Sequence, residues 1–178
     1  MTVEALRQRR PHTLADLLDA YGREIQAVAF LILRDRADAE DVTIETLLTA
    51  FEKGGSIRDD RALRAWLLRV ATNKALGLRR SGARVIQLDV AFERAAPGNL
   101  ADEAAAHVTL VGGLALLPPA MRAAVALRYY ADLSVEDVAA ALGKSPNTIK
   151  AQLQTALDRL RLSVGEPAPT TAPEARHA

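Results

Sequence analysis

A short segment near the C-terminus places two helix-start signals around a glycine. Ser134 stands where a helix cap is preferred, with Asp137 three residues later, close to a capping box. Gly143 supplies the permissive backbone that ends a helix, and Ser145 followed by Pro146 begins the next one. The segment therefore predicts a helix-turn-helix, a motif that lays its second helix in the major groove of DNA.

The second helix of this motif has two distinct faces. Its apolar residues recur at helical spacing, at Ile149, Leu153, Leu157 and Leu160. This stripe predicts a buried face, and the opposite face carries polar groups suited to base edges and phosphates. The alternative is an ordinary helical hairpin with a solvated outer face. The residues expected to contact DNA are Ser145, Asn147, Thr148, Lys150, Gln152 and Gln154.

Composition narrows the class of protein. Apolar residues make up 49% of the 178 residues and aromatic residues only 4%, so a core would consist of Leu, Ala and Val, which suits helices. The chain has no cysteine, which excludes disulfides and thiolate metal sites and fits a reducing cytoplasm. There is no secretory signal and no apolar run long enough for a bilayer, so we expect a cytoplasmic protein with no membrane contact.

Catalytic and cofactor signals are absent from the sequence. The three histidines, His12, His107 and His177, are scattered without the spacing of metal ligands. No nucleophile–histidine–acid set, paired carboxylates or glycine-rich phosphate loop is evident. We therefore expect no metal, no cofactor and no enzymatic activity.

The helical pattern divides the chain into two parts. Helices are predicted over 13–33, 39–51 and 62–80, with Asp38 and Asp60 as candidate caps for the second and third. Periodicity is lost over 81–100, and helices over 101–116 and 119–130 precede the motif. The prediction is an all-α chain of two small helical domains, 13–84 and 101–164, with a flexible linker at 85–100 and a disordered tail at 165–178.

Charge follows the same division. The net charge of +1 conceals +3 over 1–84, from 15 basic and 12 acidic residues, and +2 over 118–164, from 6 basic and 4 acidic. The joint over 85–117 carries 1 basic and 4 acidic residues, giving −3. Two mildly basic modules separated by an acidic joint suggest that each module approaches a polyanion.

Two motif blocks resemble a known family. The block ADAEDVTIETLLTAF at 37–51, continued by RALRAWLLRVATNK at 61–74, resembles sigma region 2. The block LPPAMRAAVALRYY at 117–130, continued through the helix-turn-helix to 161, resembles sigma region 4. In this order, the pair is similar to the extracytoplasmic-function sigma factors, small bacterial members of the sigma-70 family that have only these two regions.

The resemblance implies where RNA polymerase binds. In the family, an acidic helix of region 2 docks on the clamp helices of the β′ subunit, and region 4 contacts the β flap. Asp41 and Glu45 are four residues apart and share one helix face. The alternative is a solvated face whose acids merely suit a helix N-terminus. The matching acidic residues are Asp38, Glu40, Asp41 and Glu45.

The resemblance also assigns the third helix to the −10 promoter element. From Arg58 to Arg84 there are 8 basic residues against 2 acidic ones, a stripe suited to the phosphates of opened DNA. Asn73 offers both a donor and an acceptor for a base, whereas Trp66 is expected in the core. The candidate −10 residues are Arg58, Arg61, Arg64, Arg69, Asn73, Lys74, Arg79 and Arg80.

The function implied is that of a sigma factor, which binds core polymerase, directs it to promoters and promotes melting by capturing the open strand. Its implied partners are core RNA polymerase, promoter DNA and an anti-sigma factor. Two alternatives remain: a helix-turn-helix transcription factor that binds duplex DNA without core polymerase, and a sigma-like adaptor with little affinity for DNA.

The sequence departs from the family pattern in three places, one of them Gly77, near a position that is usually acidic. Ile44 stands near a position that is usually glutamine in the polymerase-docking helix. The recognition helix is less basic than usual, with only Lys150 charged in its first two turns.

We predict weak binding of the isolated C-terminal half to a −35 duplex, because each missing phosphate contact lowers affinity and flattens its salt dependence. A salt titration of residues 101–164 with a labelled duplex measures both quantities. Tight binding with a steep salt slope would contradict the prediction.

Overall fold

The computed structural model describes residues 3–8, 12–53, 57, 60–81 and 112–164, without the side chains of 60, 61, 163 and 164. Within these ranges the regular elements are all helices, which confirms the predicted all-α class. The predicted linker at 85–100 and tail at 165–178 lie outside the described residues. So does most of the predicted helix over 101–116, of which 112–115 form a helical turn.

The N-terminal half is a helical bundle whose long helices match the apolar periodicity. The predicted helix over 13–33 is continuous but contains one wider π-helical turn in its middle. The helices are α1 (Val3–Arg7), α2 (Thr13–Leu17), a π turn (Leu18–Gly22), α3 (Arg23–Leu33), α4 (Arg36–Lys53) and α5 (Asp60–Arg80).

The predicted helix starts need correction. Asp35, rather than Asp38, caps α4: its Oδ1 accepts a hydrogen bond from the Asp38 backbone N–H at 2.9 Å. Asp38 therefore lies in the first turn of the helix, and α4 begins at Arg36. Asp60 is the first residue of α5. Both helices begin two or three residues earlier than predicted, because apolar periodicity does not register the polar first turn.

Helix α1 was not predicted from the sequence. Its Val3 and Leu6 are buried, and Arg7 donates from Nη2 to the Ile57 carbonyl at 2.9 Å. An apolar pair in five residues is too short to show a helical period. It is the contact with residue 57, fifty positions away, that fixes this helix.

The C-terminal half contains the predicted helix-turn-helix. Its helices are α6 (Pro119–Val125), a π turn (Ala126–Tyr130), α7 (Val135–Leu142) and α8 (Pro146–Val164).

The capping predictions for this motif are confirmed. Ser134 Oγ accepts from the Asp137 backbone N–H at 3.0 Å, and Ser145 Oγ accepts from Thr148 at 3.1 Å. Gly143 has φ 63° and ψ 39°, the left-handed conformation expected of a residue that ends a helix.

The two halves pack against each other. Helix α6 lies against α3 and α5, and α7 lies against α5. The buried side chains of both halves form one contiguous cluster, from Leu17 and Leu63 in the first to Leu127 and Ile149 in the second. The relative position of the domains is therefore set by apolar packing, and it was not predicted from the sequence.

We expect opposite effects from two glycine substitutions. Gly143→Ala forces a side chain into a left-handed conformation and lowers the free energy of unfolding by about 1–2 kcal/mol. Gly77→Ala, within α5 and with nothing within 4 Å of the added Cβ, raises it by roughly 0.5–1 kcal/mol. Chemical denaturation of both variants measures these differences. If both substitutions changed the free energy of unfolding equally and in the same direction, backbone conformation would not explain the changes.

Candidate nucleic-acid interface

Helix α5 presents one exposed polar face. Arg69, Asn73 and Arg80 are exposed and fall within about 40° of one another around the helix, because they are spaced by four and eleven residues. These three residues are the part of the predicted −10 set that faces outward. Arg58 lies outside the described residues, and the side chain of Arg61 is not described.

Two of the predicted DNA-binding cations are already paired within the protein. Lys74 Nζ lies 2.9 Å from Glu45 Oε2. Arg64 forms a two-pronged ion pair with Glu24, with Nε 3.0 Å from Oε2 and Nη2 against Oε1. In this state both cations are paired with carboxylates of the protein.

Arg64 also links the two halves. Its Nη2 donates to the Ala131 carbonyl at 2.6 Å, in the turn between α6 and α7. The next residue, Asp132, has φ 49°, a left-handed conformation that Asp tolerates better than most residues. The turn thus directs a backbone acceptor toward a cation of the N-terminal half.

An open groove of about 530 Å³ runs between α5 and the end of α7. Asn73 and Arg69 line one side and Gly143 with residues 140–142 lines the other. Trp66 packs against the core as expected, but it is only half-buried and also lines the groove. The first helix of the motif therefore covers part of the α5 face.

Recognition helix α8 has fewer polar side chains available for DNA than its sequence suggests, because some of them are hydrogen-bonded within the protein. Asn147, Thr148 and Lys150 are exposed. Ile149, Leu153 and Leu160 are buried as predicted, whereas Leu157, the fourth residue of the predicted stripe, is half-buried. Gln154 donates to Asp158 at 3.2 Å. Ser145 is occupied as the helix cap.

Sequence reasoning missed one cation on this surface. Lys144 Nζ donates to Gln152 Oε1 at 3.2 Å, so the turn residue lies beside the recognition helix. The spacing of eight residues across a turn gives no periodic signal for this contact. Lys144 places an exposed positive charge beside Gln152, one of the residues predicted to contact DNA.

Helix α4 presents a mixed acidic and apolar face. Asp41 and Glu45 are exposed, and between and beyond them Ile44 and Leu48 are 56% and 45% exposed. All four fall on one side of the helix because they are spaced by three or four residues. Ile44 and Leu48 are four residues apart on the same side as Asp41 and Glu45, so this exposed apolar pair could have been found from the sequence.

The other two predicted docking acids lie elsewhere on α4. Glu40 lies about 100° from Asp41 and accepts from Arg36 at 3.2 Å. Asp38 is half-buried, and burial, followed by the Asp35 and Asp41 carboxylates, raises its pKa, an effect that Arg79 opposes. The structure brings Asp41 and Glu45 together and separates Glu40 from them.

Other kinds of site find no support in the described ranges. Over these ranges no group of three or more His, Cys, Asp or Glu side chains is arranged to hold a metal ion. Nor does any helix in the same ranges combine the length and apolarity needed to cross a membrane.

Comparison with family models identifies both halves. Residues 17–85 match the model described as Sigma-70 region 2, and residues 110–160 match Sigma-70, region 4. These matches contain the α4 and α5 faces in the first segment and the helix-turn-helix in the second.

Curated relatives and solved structures agree. The chain is 33% identical over 133 residues to RNA polymerase sigma-E factor of Streptomyces avermitilis, covering 73% of each chain. It is 32% identical over 155 residues to ECF RNA polymerase sigma factor SigL of Mycobacterium tuberculosis, covering 84% of this chain and 88% of the relative. The sigma factor RpoE of Bartonella quintana, solved with the anti-sigma factor NepR, superposes with TM-score 0.70 at 25% identity over 86% of this chain and 98% of its own.

We expect Arg64→Met to loosen the packing of the two halves. The variant loses the ion pair with Glu24 and the hydrogen bond to the Ala131 carbonyl. Together these contacts stabilise the packing of the two halves by about 1–2 kcal/mol after allowance for solvent screening. Energy transfer between dyes on the two domains measures their separation. Lys74→Met, which removes an ion pair within the N-terminal half, serves as the matched control. An unchanged dye distance in Arg64→Met would contradict the expectation.

Proposed function

Because this chain belongs to the extracytoplasmic-function group of the sigma-70 family and is an RNA polymerase sigma factor, we propose a division of labour among its surfaces. Helix α4 docks on the polymerase clamp, α5 captures the open −10 strand, and α8 positions the −35 element. Each of these assignments rests on a face of exposed side chains described above.

The observation that carries the proposal is that the N-terminal half has two exposed faces of different composition. The α4 face combines Asp41 and Glu45 with the apolar Ile44 and Leu48. Apolar area supplies affinity and flanking carboxylates supply orientation toward a basic partner. The α5 face carries Arg69 and Asn73, with no acidic neighbour on that side among the groove residues. We infer that protein binds the α4 face and nucleic acid the α5 face, and that the two helices meet at the Lys74–Glu45 ion pair.

Promoter melting in this scheme is binding rather than catalysis. Arg69 holds the strand by its phosphate, and the Asn73 amide contacts an unstacked base. Capture of the single strand shifts the equilibrium away from the duplex. Unstacking a base costs a few kcal/mol, which these contacts must offset. The nucleotidyl transfer belongs to the polymerase, so the sigma factor itself acts without catalysis and in the cytoplasm, where the polymerase works.

We assign the −35 contact to Asn147, Thr148 and Lys150, joined by Lys144 from the turn. Two lysines and two short polar side chains give limited phosphate contact. Tethering to polymerase through α4 raises the effective concentration of this helix near the promoter, so weak intrinsic affinity is sufficient.

An anti-sigma factor is the second expected partner. The relative from Bartonella quintana was solved in complex with the anti-sigma factor NepR, and this chain matches it over both halves. In the packed form of this chain, residues 140–143 lie across the groove from Asn73. We propose that an anti-sigma factor stabilises this packed form, and that polymerase and promoter DNA bind after the two halves separate.

The deciding experiment is in vitro transcription with core polymerase across promoters of the host. We expect promoter-dependent transcripts only when the protein is present. Binding to duplex DNA without core would instead support a conventional transcription factor, and binding to core without initiation would support an adaptor.

Two variants test the α4 and α5 faces individually in that assay. Asp41→Arg is expected to weaken binding to core at least tenfold by reversing a charge on the docking face, with Asp19→Arg, exposed on another element, as control. Asn73→Ala is expected to leave core binding intact and to reduce open-complex formation. If Asn73→Ala lowered core binding equally, the assignment of separate faces would be wrong.

A further inference from the structure

Arg122, in the first helix of the C-terminal half, is a buried cation without an acceptor. Only 3% of the residue is exposed. Its Nε and Nη2 atoms are both shielded from solvent, and neither has a hydrogen-bond partner among the described residues. Buried guanidinium groups are normally paired, because leaving such a charge unpaired costs several kcal/mol.

Two further arginines approach Arg122 from the N-terminal half. Arg34 ends α3 and Arg79 lies in the last turn of α5, and both helices pack against α6, which carries Arg122. Arg34 Nε is likewise buried without an acceptor in the described part of the chain. Burial lowers the pKa of Arg122 to about 10, with smaller contributions from Arg79 and Arg34. Burial, followed by Arg79, also lowers the pKa of Arg34.

Among the described residues, no carboxylate forms an ion pair with this cluster. Asp38 is close enough to Arg79 for their charges to interact. Packing the two halves together therefore concentrates positive charge at their interface, which a bound anion would neutralise.

We propose that Arg34, Arg79 and Arg122 form a binding site for a small divalent oxyanion of the phosphate type, and that the site exists only while the two halves are packed. Guanidinium groups match the oxygens of phosphate in fork geometry, and three of them suit a tetrahedral ion. Since two arginines come from one half and the third from the other, a bound oxyanion stabilises the packed form. The proposal rests on the packing of the halves and is independent of the proposed promoter contacts.

The test compares the full chain in chloride, phosphate and sulfate at equal ionic strength and pH 7.5. At ten times the dissociation constant, either divalent oxyanion is expected to raise Tm by about 3–6 °C over chloride. Dyes on the two halves should show a shorter mean separation over the same titration. Equal Tm and equal dye separation in all three salts would overturn the proposal.

Substitutions of single arginines test whether the oxyanion binds at this cluster. Arg122→Met is expected to lose the response to phosphate and sulfate while remaining at least as stable as the parent in chloride, because it removes an unpaired buried charge. Arg79→Met should weaken the response at least fivefold. Arg80→Met, an exposed neighbour on the same helix, is the matched control and should keep it. A retained response in Arg122→Met, or its loss in Arg80→Met, would show that the oxyanion binds elsewhere.

Discussion

The arrangement of this molecule depends on the packing of its C-terminal half against helices α3 and α5. Helices α6 and α7 bury apolar side chains there, and the buried residues of both halves form one cluster. Arg64 adds a polar contact to this interface by joining Glu24 on one side and the Ala131 carbonyl on the other. Which of the promoter-facing residues are accessible follows from this packing.

The same packing decides how much of the α5 face is accessible to DNA, and this offers a means of regulation. The end of α7 lies across a groove from Asn73, so the helix proposed to capture DNA is partly covered by the motif proposed to position it. Opening this interface exposes apolar area and breaks the Arg64 contact. A partner can favour the open form only through contacts that it makes better with the open form than with the packed one. Polymerase and promoter DNA would supply such contacts, and an anti-sigma factor would favour the packed form.

Charge counts from the sequence overstate what α5 offers to DNA. The basic stripe includes Lys74 and Arg64, yet the first is paired with Glu45 and the second with Glu24. Arg79 is half-buried, and its charge acts on Arg34 and Arg122. Among the described side chains of α5, Arg69 and Arg80 are the exposed cations. The summed charge of α5 therefore overestimates its affinity for DNA, because it includes cations that are already ion-paired within the protein.

Local signals determined much of the structure. The caps at Ser134 and Ser145 and the glycine that ends α7 each act within three or four residues, so the sequence alone was sufficient to place the helix-turn-helix. Apolar periodicity likewise located α4 and α5. It failed for α1, which contains a single apolar pair, and for Leu18 and Leu48, which are exposed although they fit an apolar period.

What only the tertiary structure decided is how these helices meet. Arg64 and the Ala131 carbonyl are 67 positions apart, and Arg34 and Arg122 belong to different halves. No periodic pattern connects such residues, because periodicity records which side of a helix is buried but not which helix buries it. The sequence by itself therefore established the long helices, the motif and the two regions of the family. The fold decided which cations are paired, which remain exposed, and which are brought together without an acceptor.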